Sequence, residues 1–226
     1  MNKIKEFIKS FNWNWFELLI IGTVSIISGY YFVQSAMLGD WMLPLVSLVA
    51  AIAGIFSVVL CAKGKKSGFI FGLVNVICYS FVSFVNLYYG EVMLNTLFYI
   101  PMNIISYYLW SKNKNKETNE VMCRKLNWKQ LVIGILVIAA ITFGYHLILA
   151  SLGGAMTLLD GTTTVLSITA TILMACRYSE QWLCWIVVDA ITVIMWVIAA
   201  DPIMITMWTA YLVNAFYGYK NWLSKS

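Results

Sequence analysis

Apolar stretches of bilayer-crossing length recur eight times along this chain, at residues 15–38, 43–62, 68–88, 92–110, 130–150, 162–176, 181–199 and 203–222. A helix needs about 20 residues to cross the hydrocarbon core; most segments reach that, with the sixth and seventh at the short end. A soluble domain needs far less hydrocarbon for its core than this chain carries, with 61% hydrophobic residues and a mean hydropathy of +0.80. Backbone groups in lipid must be satisfied within the segment, so the expected fold is an all-α integral membrane protein with eight transmembrane helices.

Charge orients the segments. All fifteen Lys and Arg fall before the first segment, between the second and third, fourth and fifth, or sixth and seventh, or around the end of the eighth. The alternate connections hold Asp40, Glu91, Asp160 and Asp201 and no basic residue. Lys and Arg bias short loops toward the cytoplasm, so both termini are placed in the cytosol. Trp13, Trp15, Trp41, Trp110, Trp128 and Trp222 lie near segment ends, where indole rings anchor at the headgroups. The +5 net charge then belongs to the surface facing anionic lipid, and no nucleic-acid partner is implied. The basic start runs straight into a full-length apolar segment without a small-residue cleavage site, so no cleavable signal is expected. Five Cys without CxxC spacing predict neither a disulfide framework nor a zinc site. No phosphate-binding loop or nucleophile elbow occurs, which argues against an enzyme and against ATP-driven transport; no cofactor is called for.

The chain also repeats itself. Residues 68–110 run parallel to 182–222: Asn75 falls on Asp189, Glu91 close to Asp201, Tyr99 on Tyr211, Tyr107 on Tyr219 and Trp110 on Trp222. The preceding segments begin alike, Leu38-Gly39-Asp40 against Leu158-Leu159-Asp160. Three helices per repeat is an odd number, so the fifth segment is needed to bring the second repeat back parallel to the first. The expected organisation is a cytosolic N-terminus and extra helix (1–42), repeat 1 (43–110), a cytosolic loop and linker helix (111–150), and repeat 2 with the C-terminus (151–226). The polar stretch 111–129 reads as partly disordered. Parallel repeats of this kind are a transporter architecture, with the site between them near mid-membrane.

Polar stripes give the candidate site. Asn75, Tyr79, Ser83 and Asn86 share one face of the third segment, and Asn95, Tyr99 and Asn103 one face of the fourth. The sixth offers Thr164, Ser167 and Thr171, the seventh Trp182, Trp185, Asp189, Thr192 and Trp196, and the eighth Tyr211, Asn214 and Gly218. Single Ser and Thr residues are ordinary helix-packing glue. The Asn, Tyr and Trp pattern marks a binding site, because carboxamides inside a bilayer usually serve a function. Asp189 is read as the one acid well inside the membrane; it must face the bundle interior or a water-filled cavity, as a structural acid, a proton-coupling site or a partner for ligand hydroxyls. His146, on the fifth segment, reads as structural. Trp182 and Trp185, three apart, could flank a flat ring, and a cationic ring would gain most from them. A planar head with a polyhydroxylated portion fits, and a phosphate does not, since no Lys or Arg lies within the membrane.

The run Glu180-Gln181-Trp182-Leu183-Cys184-Trp185-Ile186-Val187-Val188-Asp189 resembles the Glu-Asn-Trp-x-x-Trp-x-x-x-Asp signature of the PnuC family of bacterial vitamin transporters. Gly72-Leu73-Val74-Asn75, Tyr89-Gly90-Glu91 with Asn95 and Tyr99, Pro101-Met102-Asn103 and Trp110 are similar to the family's first-repeat pattern. Gln181 stands in place of the usual Asn, and Thr171 where many relatives have Gln. The resemblance spans about residues 43–222 and implies uptake of nicotinamide riboside by facilitated diffusion across the bacterial inner membrane. It also implies a fold like that of the SWEET sugar transporters and a homotrimer. Thiamine or riboflavin as cargo, and ion-coupled symport, stay open as alternatives. The expected substrate-binding residues are Asn75, Tyr79, Asn95, Tyr99, Asn103, Trp182, Trp185, Asp189, Tyr211 and Asn214.

Overall fold

The computed structural model describes residues 12–39, 41–87, 89–153, 157–198 and 202–225. Among these the chain is helical, without strands. The helices are α1 (Trp15–Met37), α2 (Met42–Ala62), α3 (Gly68–Val85), α4 (Tyr89–Leu94), α5 (Ile100–Lys112), α6 (Trp128–Ser151), α7 (Thr157–Ala175), α8 (Gln181–Ile198) and α9 (Pro202–Leu223), with a π-helical turn, Asn95–Tyr99, joining α4 to α5. Taking α4, the π turn and α5 as one broken helix gives eight helical units among the described residues. Six are long and apolar enough to cross a membrane by length and composition; α8 contributes a shorter apolar stretch, Gln181–Met195. α9 spends positions such as Tyr211 and Asn214 on a polar interior face, which lowers its apolar content. Asp40 and Asp201, assigned to the acidic connections, lie outside the described residues.

Local sequence sets the helix ends. Asn14 caps α1 and Asn127 caps α6, each in a reciprocal capping box with Glu17 or Gln130. Pro101 explains the break in the fourth unit. Its ring would clash with the carbonyl of Leu97, and it supplies no N–H, so the preceding turn widens and Ile100 N–H bonds back to the Asn95 carbonyl.

The helices pack as two triples. α2 packs on α3 and α3 on α5; α7 packs on α8 and α8 on α9. The triples meet through α2 with α9 and through α5 with α7, so the first helix of each touches the last helix of the other. Two tryptophans make the same exchange. Trp110 Nε1, ending α5, donates to the Met174 carbonyl near the end of α7 at 2.9 Å, and Trp222 Nε1, ending α9, donates to the Cys61 carbonyl near the end of α2 at 3.1 Å. Both rings are fully buried, with centroids 5.4 Å apart. α6 packs on α7, and Thr157 Oγ1 lies 2.8 Å from His146 Nδ1, which gives that histidine a structural partner.

The basic connections gather at one end of the bundle, and there the polar stretch 111–129 departs from its expected disorder. Val121 is buried in the aromatic core and its N–H bonds to the Gly64 carbonyl at 2.8 Å. Arg124 N–H donates to the Arg177 carbonyl at 2.8 Å, while its own carbonyl accepts from Ser179 N–H at 2.9 Å. Lys225 pairs with Glu120 at 2.8 Å, and burial pushes the Cys123 thiol up to about 11. A polar sequence is held here by backbone pairing and by Val121 and Cys123 packed on the core, which composition alone does not reveal.

A second acid is buried in the protein besides Asp189: Glu17, in the first turn of α1 at the basic end of the bundle. Its carboxylate pairs with Lys63 Nζ at 2.6 Å and accepts from Tyr217 Oη at 2.7 Å, tying α1 to α2 and α9.

Candidate functional site

Between the triples lies a cavity of about 210 Å³, lined from α2, α3, the broken fourth unit, α7, α8 and α9. Eight of the expected residues line it: Asn75, Tyr99, Asn103, Trp182, Trp185, Asp189, Tyr211 and Asn214. Tyr79 and Asn95 do not. Tyr79, one turn beyond Asn75, is 41% exposed. Asn95 is buried, and its Nδ2 donates to the Glu91 carbonyl at 2.7 Å within its own helix. The π turn is the reason: it inserts an extra residue, so Asn95 no longer shares the face of Tyr99 and Asn103.

Small residues make the space. A Cβ at Gly54 would sit 2.8 Å from both Asn75 Nδ2 and Tyr211 Oη, and one at Gly72 would meet Asn103 Oδ1. A Cβ at Gly218 would lie 2.7 Å from Trp182 Cε2 and Cζ2. Glycine is therefore what lets α2 approach Asn75 and Tyr211, and lets the Trp182 ring lie against α9. Toward the basic end the cavity is floored by Cys61, Phe69, Trp182 and Ala215, which belong to the same core cluster as Trp110, Val121 and Trp222.

The polar groups are incompletely satisfied by the protein. Asn75 Nδ2 donates to the Ala50 carbonyl at 2.8 Å and Asn103 Nδ2 to the Tyr99 carbonyl at 2.9 Å, so each carboxamide has one amide hydrogen committed to a helix backbone. Trp182 Nε1, Trp208 Nε1 and Asn214 Oδ1 are buried without a hydrogen-bond partner. Buried polar atoms without partners are rare and costly, about 1–3 kcal/mol each, which makes these three atoms candidates for ligand contact. Asp189 is 3% exposed and supplies the one carboxylate of the lining. No Lys, Arg or His lines the cavity, and no cluster of His, Cys, Asp and Glu among the described residues could hold a metal ion. Such a site can hydrogen-bond hydroxyls and amides and face a cation, but it has nothing to balance an anion.

Trp208, Gly54, Gly72 and Ser57 line the cavity without having been singled out from the sequence. Trp208 had a readable signal, standing one turn before Tyr211 on the α9 face that carries Asn214 and Gly218. The small residues of α2 and α3 gave none, because their contribution is room for side chains on other helices.

The family model of nicotinamide mononucleotide transporters matches residues 44–224. The chain belongs to that family. It is a family of transporters, not enzymes, and its members include the proteins named PnuC. A nicotinamide riboside transporter PnuC of Neisseria mucosa is 41% identical over 188 residues, covering 77% of this chain and 70% of that one. A protein of the same name from Haemophilus influenzae is 34% identical over 220 residues, covering 96% and 93%. A crystal structure described as the vitamin B3 transporter PnuC superposes with a TM-score of 0.77 at 35% identity, covering 94% of this chain and 92% of that one. The PnuC relationship and the apolar helices make this chain a multi-pass membrane transporter.

Proposed function

We propose that the cavity is the transport site and that its cargo is nicotinamide riboside. The observation that carries this reading is a lining rich in carboxamide, phenol and indole groups with one carboxylate and no cation. The family model is described by the mononucleotide and the relatives by the riboside, and the chemistry of the lining favours the riboside. A phosphate would enter a buried site with no basic partner, next to a carboxylate, at a cost of several kcal/mol. The riboside instead brings a cationic pyridinium ring, which an indole face and Asp189 both favour, and ribose hydroxyls for the Asn and Tyr groups. Trp182 is 4% exposed and packed on Gly218, so stacking falls mainly to the half-buried Trp185.

Asn75 and Asp189 occupy matching places in the two triples, and both line the cavity. The reciprocal Trp110 and Trp222 bonds and the α2–α9 and α5–α7 contacts support a SWEET-like arrangement of two parallel repeats, 43–110 and 151–226, with α1 outside the duplication. Eight crossings with both termini cytosolic follow from the alternation of charge. With one titratable side chain in the cavity apart from Tyr and Cys, facilitated diffusion is favoured over ion-coupled symport. The assembly implied by family resemblance is a homotrimer, tested by the mass of the detergent-purified complex.

Calorimetry on purified protein tests the cargo. Nicotinamide riboside is expected to bind, and its 5′-phosphate, thiamine and riboflavin to bind far more weakly. Tighter binding of the phosphate than of the riboside would refute the reading.

A further inference from the structure

The unsatisfied buried atoms are not spread evenly through the cavity. Gly218 receives the Trp182 ring at van der Waals distance, and Asn214 lies one helical turn before Gly218, so it shares that face of α9. Trp182 Nε1, a donor, and Asn214 Oδ1, an acceptor, therefore both belong to the end of the cavity nearest the buried aromatic floor, and neither has a protein partner. Asn214 is 1% exposed and Trp182 4%, so bulk water does not serve these atoms. An unpaired donor and an unpaired acceptor at the same end of the cavity, over an apolar floor, are complementary to a primary carboxamide, whose oxygen accepts and whose NH₂ donates. It is a poor match for a carboxylate, which only accepts and would be left facing Asn214 Oδ1. With Trp182 held against Gly218, it is the ring's edge, not its face, that offers the N–H.

We propose that Trp182 Nε1 and Asn214 Oδ1 form a carboxamide-reading subsite, so that the cavity selects a pyridinium amide over the corresponding pyridinium acid. This rests on the reading of the cavity as a nicotinamide riboside site and assigns the orientation within it: carboxamide toward the aromatic floor, ribose toward Asn75, Asp189 and Tyr211. A ligand group that leaves a buried partner unpaired loses strongly, which is how polar sites gain their selectivity.

The test is calorimetric binding of nicotinamide riboside and nicotinic acid riboside to wild type, Asn214→Leu, Asn214→Asp and Trp182→Phe. Wild type should prefer the amide by about tenfold or more. Asn214→Leu should weaken the amide by about tenfold and shrink the amide-to-acid ratio. Asn214→Asp keeps an acceptor for the amide NH₂ and should keep or sharpen the preference. Trp182→Phe keeps an aromatic floor, removes the N–H and should weaken both ligands. A structural defect would lower both affinities without moving the ratio, so a ratio unchanged in Asn214→Leu would overturn the proposal. So would equal binding of amide and acid by wild type, which leaves the nicotinamide riboside reading standing. Failure of wild type to bind either ligand would overturn both.

Discussion

Gly218→Ala probes how closely the site is packed, with one added methyl. The Cβ would arrive 2.7 Å from Cε2 and Cζ2 and 2.8 Å from Cη2 of Trp182, where carbon atoms normally stand about 3.5–4.0 Å apart. The indole must move by about 1 Å. It has little room to do so, because its ring centroid is 6.0 Å from that of fully buried Trp222, which packs in turn on Trp110. The easiest escape is into the cavity. Overpacking of a tight core costs about 1–3 kcal/mol, and the misplaced indole should also lose its ligand bond, a further ~1 kcal/mol in binding. The expected result is a lower melting temperature together with roughly five- to tenfold weaker binding of nicotinamide riboside. Trp182→Phe removes the benzo edge that the new methyl strikes. The double variant Trp182→Phe/Gly218→Ala should then be no less stable than Trp182→Phe alone, a coupling that a double-mutant cycle measures directly. Additive losses, or a Gly218→Ala protein with unchanged stability and affinity, would refute the packing argument.

Asp189→Asn keeps an acceptor at the same place and matches Asn75 of the other triple; flux in liposomes should persist with weaker affinity. Asp189→Leu removes the acceptor and should cost ~1–3 kcal/mol for each hydroxyl left unpaired, seen as a raised Kd. Lys63→Met leaves Glu17 buried beside Tyr217 without its cation and should destabilise the protein by about 3–5 kcal/mol in thermal unfolding, since both partners are nine-tenths buried or more. Trp110→Phe loses the bond to the Met174 carbonyl and should cost ~1–3 kcal/mol in stability, more than the same change at the exposed Trp128.

The sequence was informative wherever the constraint was local or periodic. Helical spacing put Trp182, Trp185 and Asp189 on one wall and Tyr211 with Asn214 on another, because a regular helix keeps its faces. The same arithmetic misplaced Asn95, since Pro101 widens the turn before it and shifts the face by one residue. Partners distant in the chain were invisible. Glu17 and Lys63 are 46 positions apart, and nothing in the pattern of α1 announces that its first-turn acid is buried and paired. Stretch 111–129 reads as disordered because its composition is polar; its order comes from backbone bonds to Gly64 and Arg177 and from Val121 and Cys123 packed on the core. Gly54, Gly72 and Gly218 were legible as glycines but not as the reason side chains from other helices fit.

The central claim is that a carboxamide-lined cavity with one carboxylate and no basic side chain carries a nucleoside cation down its gradient and excludes the phosphorylated form. Flux of labelled nicotinamide riboside through proteoliposomes tests it most directly, measured in both directions with no proton or sodium gradient and with excess unlabelled riboside or mononucleotide as competitor. The account predicts flux that stops at equal concentrations on the two sides, is competed by the riboside and is indifferent to the mononucleotide. Accumulation of the riboside against its own gradient when an ion gradient is imposed, or competition by the mononucleotide as strong as by the riboside, would contradict it.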